Sequence, residues 1–247
     1  MSKKYRNDVS KNYKICKILN NIFNICFLTS VILSVILLYD YSSVICNILI
    51  TIYVFSFFCN IINNILIDVA ETENRKVNLS NAYNISLSEK KTIGYFNNNE
   101  DFGEQKLFIN TFESVYFTKN ILNKDVIKQT IITLIELITW FCLLLFIKNK
   151  NFVLLITQSI FSSEIIENYI KYIYYVIKVN SIYDSFHKLL ITSKYSMENN
   201  PLLLSYCFDY ESIKSSSRIL INSKKFIKYN DYWSKEWSKI RKKIKKR

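Results

Sequence analysis

The sequence predicts an all-α integral membrane protein, with four transmembrane helices in two hairpins, a cytosolic helical insert between them and a helical C-terminal tail. Its 247 residues are half apolar, and the apolar residues gather in blocks near 18–39, 41–67, 129–147 and 151–177. The run from Ile18 to Tyr39 and the run from Tyr41 to Ile67 carry no charge and are split only by Asp40. Each meets the roughly 20 residues that a helix needs to cross a hydrocarbon core. The chain has only two Gly and one Pro. So few breakers suit long helices, and a β-rich fold or a Gly-loop nucleotide enzyme needs more turn residues.

Residues 1–17 form a basic segment, with Lys3, Lys4, Arg6, Lys11, Lys14 and Lys17 against Asp8. The apolar stretch that follows is too long for a signal-peptide core and ends without a small-residue cleavage site, so it reads as a retained anchor. By the positive-inside rule the basic end is cytosolic. Residues 18–67 are then transmembrane hairpin 1, with Tyr39 and Tyr41 at the opposite interface. Asn20, Asn21 and Asn24 on its first helix and Asn60, Asn63 and Asn64 on its second lie at similar depth. They are either hydrogen-bonding glue between the two helices or a polar cytosolic mouth of a pathway, in which Asn24, Asn60 and Asn63 are lining candidates.

Residues 68–128 form a polar insert of mixed charge. Its start continues the second helix out of the membrane. Both glycines, Gly94 and Gly103, flank Asn97–Asp101, which reads as a loop. Residues 104–127 read as a helix leading into the third span. Sequons at Asn78 and Asn84 are idle if this insert is cytosolic.

Residues 129–177 are transmembrane hairpin 2, turning at Lys148 and Lys150. Unlike the first hairpin it carries carboxylates: Glu136 in the third span, and Glu164 and Glu167 on one side of the fourth. Ionisable groups at such depth are costly and face a bundle interior or water. A ring of them from several subunits would favour cations. The plainer alternatives are that Glu167 pairs with Lys171 and that the fourth span ends early, leaving Glu164 at the interface.

Residues 178–247 form a basic cytosolic tail, broken at Pro201 into two helical pieces. In the last, Phe226, Tyr229, Trp233, Trp237, Ile240 and Ile244 share one helix face, and the other face is rich in Lys and Arg, including Arg241, Lys242 and Lys243. Either this helix lies on an anionic leaflet, or its Trp face docks on the cytosolic helices while the charges stay solvated. Nucleic acid is a weaker partner, because no recognition motif accompanies the basic tail. The net charge of +13 is discounted, since Ile, Asn, Lys, Tyr and Phe all use A/T-rich codons.

The six cysteines contain no C-x-x-C pair and read as small buried hydrophobes. His187 is the single histidine and lacks ligand-spaced partners, so no zinc site is expected. No P-loop, G-x-G-x-x-G or G-x-S-x-G motif occurs. The sequence predicts no enzyme, no metal and no cofactor.

The layout, the Gly94-Tyr95-Phe96 loop and the Asn110–Thr118 segment resemble the SMODS-associated four-transmembrane effectors of bacterial second-messenger conflict systems. The resemblance spans nearly the whole chain in layout and implies a pore-forming effector of antiviral defence. Its partners would be the bilayer of the inner membrane, further copies of itself, and a trigger that is either a nucleotide second messenger or a cytosolic protein. The alternative is a non-enzymatic membrane-anchored scaffold that recruits a partner through its basic helices. A secondary transporter is disfavoured, as no internal repeat or broken helix is visible.

Overall fold

The computed structural model describes residues 6–7, 10–39, 42–89, 92–93, 96, 100–146, 157, 165–192 and 197–245. Its helices are α1 (Ser10–Tyr39), α2 (Ser43–Tyr83), α3 (Glu104–Phe146), α4 (Ile165–His187), α5 (Asn200–Ser217) and α6 (Ser223–Lys245). A π-helical turn at Lys188–Thr192 extends α4. Among the described residues the sole extended pairing is antiparallel, Arg6 opposite Ile93 and Asn7 opposite Thr92. Gly94, Tyr95, Asn97–Asn99, the Lys148–Lys150 turn and Glu164 lie outside the described residues.

Two helices are long and apolar enough to cross a membrane by length and composition, one over Lys11–Ser34 and one over Ser43–Tyr83. Only 12% and 11% of their apolar windows are buried. A core helix of a soluble protein would be mostly covered, and a free monomer in water rarely carries so wide an apolar surface. α2 runs through 41 residues without a break, about 60 Å at helical rise. Its first part shows Val54, Phe55, Phe57, Phe58, Ile62 and Ile65 outward. Its last part buries Ala70, Glu71, Val77, Asn78 and Ala82 in a helical body. Asn84 closes the helix in the left-handed conformation, φ 55°, a position that Gly and Asn accept most easily.

α3 repeats this design in reverse. Gly103 precedes it at φ 132°, where a side chain would be strained. From Leu107 to Leu122 the helix is largely buried, and beyond Asp125 it exposes Ile127, Ile131, Leu134, Ile135, Ile138 and Phe141. α4 runs antiparallel along it. Phe112 stacks on Phe186 at 5.4 Å, the Asn123 and Asn180 amides exchange hydrogen bonds of 3.1 Å, and the Tyr169 hydroxyl donates to Thr130 Oγ1 at 3.0 Å. The Trp140 indole donates to Thr157 Oγ1 at 3.1 Å. This bond reaches the exposed apolar half of α3.

Among the described residues the main core cluster is drawn from α3, α4 with its π-helical turn, α5 and α6, and not from α1 or α2. Pro201 stands in the first turn of α5, where its missing N–H costs nothing. The tail therefore holds a helix, Asn200–Ser217, that the Pro201 break left unassigned in the sequence.

Candidate functional site

α2 leaves the apolar hairpin at Asp68 and meets α5 in antiparallel array. Asp68 faces Arg218 at 3.3 Å, Glu71 faces Lys214 at 2.5 Å, and Arg75 faces Glu211 at 3.6 Å. Positions 68, 71 and 75 share one face of α2 by helical spacing, so the ion pairs form a ladder. Its rungs differ in kind. The Asp68–Arg218 rung is open, with Arg218 and Asp68 at 43% and 46% exposure; the Arg75–Glu211 rung is mixed, at 45% and 14%; Lys214 and Glu71 are at 10% and 8%. Burial opposes the Lys214 charge, but Glu71 foremost, then Tyr13 of α1, Glu211 and Tyr210, outweigh it and hold the lysine well above its ordinary range. The ladder ties the helix that leaves the hairpin to the body, with α1 alongside.

Beside the ladder is a cleft of about 860 Å³ between α2, α3 and α5. Arg75, Arg218 and Glu211 border it, with Tyr83, Cys207 and Phe208. Burial pushes the Cys207 thiol up to about 12. Behind the cleft, Asn110 donates to Asn78 Oδ1 at 3.2 Å and to Asn81 Oδ1 at 3.0 Å. Thr118 Oγ1 and the Tyr210 hydroxyl lie 2.9 Å apart. The Asn110–Thr118 segment is thus buried polar framework joining α2, α3 and α5, and Asn78 of the first sequon is buried within it.

The other sequence candidates fall into separate places. Glu136 is half-buried on α3, between the Thr130–Tyr169 and Trp140–Thr157 cross-helix bonds. Glu167 is 58% exposed and pairs with Lys171 at 2.6 Å, so the plain ion-pair reading describes it. Glu164 lies outside the described residues. Asn60 accepts from Asn64 at 3.4 Å along the same helix, and Asn63 is buried. Asn20, Asn21 and Asn24 are exposed. They are therefore not glue between α1 and α2.

The reading of Trp233 and Trp237 as membrane-surface or partner-binding residues requires correction. They are 2% and 1% exposed. Trp237 meets Phe112 and Tyr116 with ring centres at 5.2 and 5.6 Å, and Trp233 meets Phe117 at 6.4 Å. At the other end Lys225 pairs with Asp125 at 2.6 Å, and Lys17 donates to Ser223 at 3.2 Å. Hence α6 starts at the base of the hairpins and climbs antiparallel to α3. Arg241, Lys242 and Lys243 lie about 30 Å along the helix from that start. The aromatic face is taken up by packing against α3, while Lys242 and Lys243 are exposed. Burial, followed by Tyr183, pushes Tyr116 in this core up to about 12.

Of the cysteines, Cys16, Cys59 and Cys207 are buried, Cys26 and Cys46 are half-buried and Cys142 is exposed. Among the described residues no group of three or more His, Cys, Asp or Glu side chains converges as a metal site. Comparison with protein-family models, curated proteins and solved structures finds no match.

Proposed function

We propose that this chain is a homo-oligomeric pore-forming effector that disrupts the bacterial inner membrane in antiviral defence, with both hairpins in the bilayer, both termini cytosolic and the helical body as the receiver of a trigger. The observation that carries the reading is the continuity of α2. One uninterrupted helix bears a bare apolar surface at one end and a buried ion-pair ladder at the other. A change in the body at the ladder moves the hairpin as a lever, because an unbroken helix transmits displacement along its axis. The cleft beside the ladder has the size of a small-molecule site, so a diffusible trigger would bind where it can shift α2 against α5. The resemblance to four-transmembrane effectors supports the antiviral setting.

In this account the second hairpin lines the path. Glu136 sits mid-way along its α3 arm and supplies the cation preference, with Glu164 as the companion and Glu167 held by Lys171. The test is membrane potential in bacteria after induced expression, read with a voltage-sensitive dye, beside the Glu136→Gln/Glu164→Gln/Glu167→Gln variant. Rapid depolarisation that weakens in the variant supports the account. Equal depolarisation in both moves the lining elsewhere. The second reading, a membrane-anchored scaffold, is favoured by the exposed basic end of α6. It predicts no depolarisation, and partner loss on neutralising Arg241, Lys242 and Lys243.

A further inference from the structure

Beyond Lys17, α1 presents one exposed amide patch followed by an apolar outer surface. Asn20, Asn21 and Asn24 are exposed, and Ile25, Leu28, Ile32 and Ile36 continue outward from them. Asn21, Ile25, Leu28 and Ile32 follow four-three-four spacing, the seam along which one helix meets another. α2 covers the opposite side of α1, and its Leu49, Cys59, Asn63 and Ile67 are buried. None of the hydrogen bonds among the described residues holds the three amides within the chain. The buried serines on this part of α1 satisfy themselves: Ser30 donates to the Phe27 carbonyl and Ser34 to the Ser30 carbonyl, both at 2.7 Å.

Depth decides what can cover the patch. Lys17 marks the polar end of α1, and Asn24 lies seven residues further in, about 10 Å along the axis. Hydrocarbon covers Ile25 and Leu28 at no cost, but it leaves the Asn24 amide with donors and an acceptor unmatched. An amide is both donor and acceptor, so the same residue on a second copy at the same depth completes it. A two-fold axis normal to the membrane brings the two patches together. The apolar seam supplies the contact, and the amides at its end set the register, as a single polar seam position does in a coiled coil.

We infer that α1 is the self-association face of this protein, and that a second copy docks on it with Asn20, Asn21 and Asn24 paired across the contact. The inference rests on the hairpin lying in a membrane. It assigns the subunit contact to the first hairpin and leaves the second free to line a path.

A photo-crosslinking amino acid placed at Asn24 or Leu28 of the full chain, in native membranes, tests this beside a control at Phe58, which is exposed on α2. Carbonate extraction is run on the same membranes. The expected result is a dimer band from positions 24 and 28, little from 58, and at least a tenfold loss of the band from 28 in the Asn20→Leu/Asn21→Leu/Asn24→Leu variant. That variant should stay in the membrane, since leucine favours insertion, and Asn24→Gln should keep the band. Retention in the membrane without crosslinks at 24 and 28, or a leucine variant that crosslinks as well as the native chain, overturns the inference alone. Release of the native chain by carbonate overturns the membrane reading, and the inference with it.

Discussion

Lys214→Met tests the ladder most sharply, because it removes an ammonium while keeping the length of the side chain. At 2.5 Å and an effective dielectric constant near 20, the Glu71–Lys214 attraction is about 6–7 kcal/mol. Desolvation of both ions offsets much of that, so the pair adds little net stability. Removing one member is different: Glu71 stays buried at 8% exposure with its charge uncompensated. The expected loss is about 3–5 kcal/mol. Adding Glu71→Gln to Lys214→Met should recover most of it, because the stranded charge is gone. Asp68→Asn, on the exposed rung, should cost less than about 1 kcal/mol, whereas Arg75→Met should cost more than Asp68→Asn, because it takes the partner from Glu211, which is only 14% exposed. Denaturant titration of the purified chain in detergent measures these values. Trp233 and Trp237 lie in the core, so their fluorescence reports the body. A Lys214→Met loss below about 1 kcal/mol, or equal losses on all rungs, would refute the ladder's gradation from a buried rung to an exposed one.

Other outcomes follow from the same geometry. Trp237→Ala should destabilise the body by about 3–5 kcal/mol, measured by the same titration, while carbonate extraction leaves the chain in the membrane. Cys207, raised to about 12 by burial, should resist maleimide at pH 8 in the folded chain and react once denaturant is added. Tyr116 and Cys207 both have folded values near 12 and ordinary unfolded values of 10.0 and 9.0. Both are neutral acids held protonated by burial. Their contribution is therefore full below the unfolded values, falls as pH rises through them, and is gone above about pH 12. A pH series of the titration, with tyrosinate absorbance alongside, should show this alkaline loss. Tyrosinate that forms near pH 10 without unfolding in the native chain and is missing from Tyr116→Phe would contradict it.

How much of this was legible in the sequence depended on periodicity and on distance along the chain. The first two uncharged runs, the helical exit past Asp68 and the helix from residue 104 follow from local pattern and are seen in α1, α2 and α3, whereas Pro201, read as a break, stands in the first turn of α5. The one-sided face of α6 was equally plain, but the face alone does not say what covers it; Phe112, Tyr116 and Phe117, more than a hundred residues earlier, do. The ladder was invisible for the same reason. Asp68, Glu71 and Arg75 carry helical spacing, yet their partners lie in a helix that the sequence left unassigned. The amides of α1 needed the opposite information: their depth was readable, and only the packing of α2 showed that Asn20, Asn21 and Asn24 point away from it.

The central claim, that this chain forms an ion pathway through a membrane, is tested most directly by conductance of the purified full chain in a planar bilayer with unequal KCl on the two sides. The account predicts discrete current steps with a reversal potential displaced toward that of potassium, and a displacement that shrinks in Glu136→Gln. Inserted protein that passes no current, with the ladder intact or opened by Lys214→Met, would contradict it.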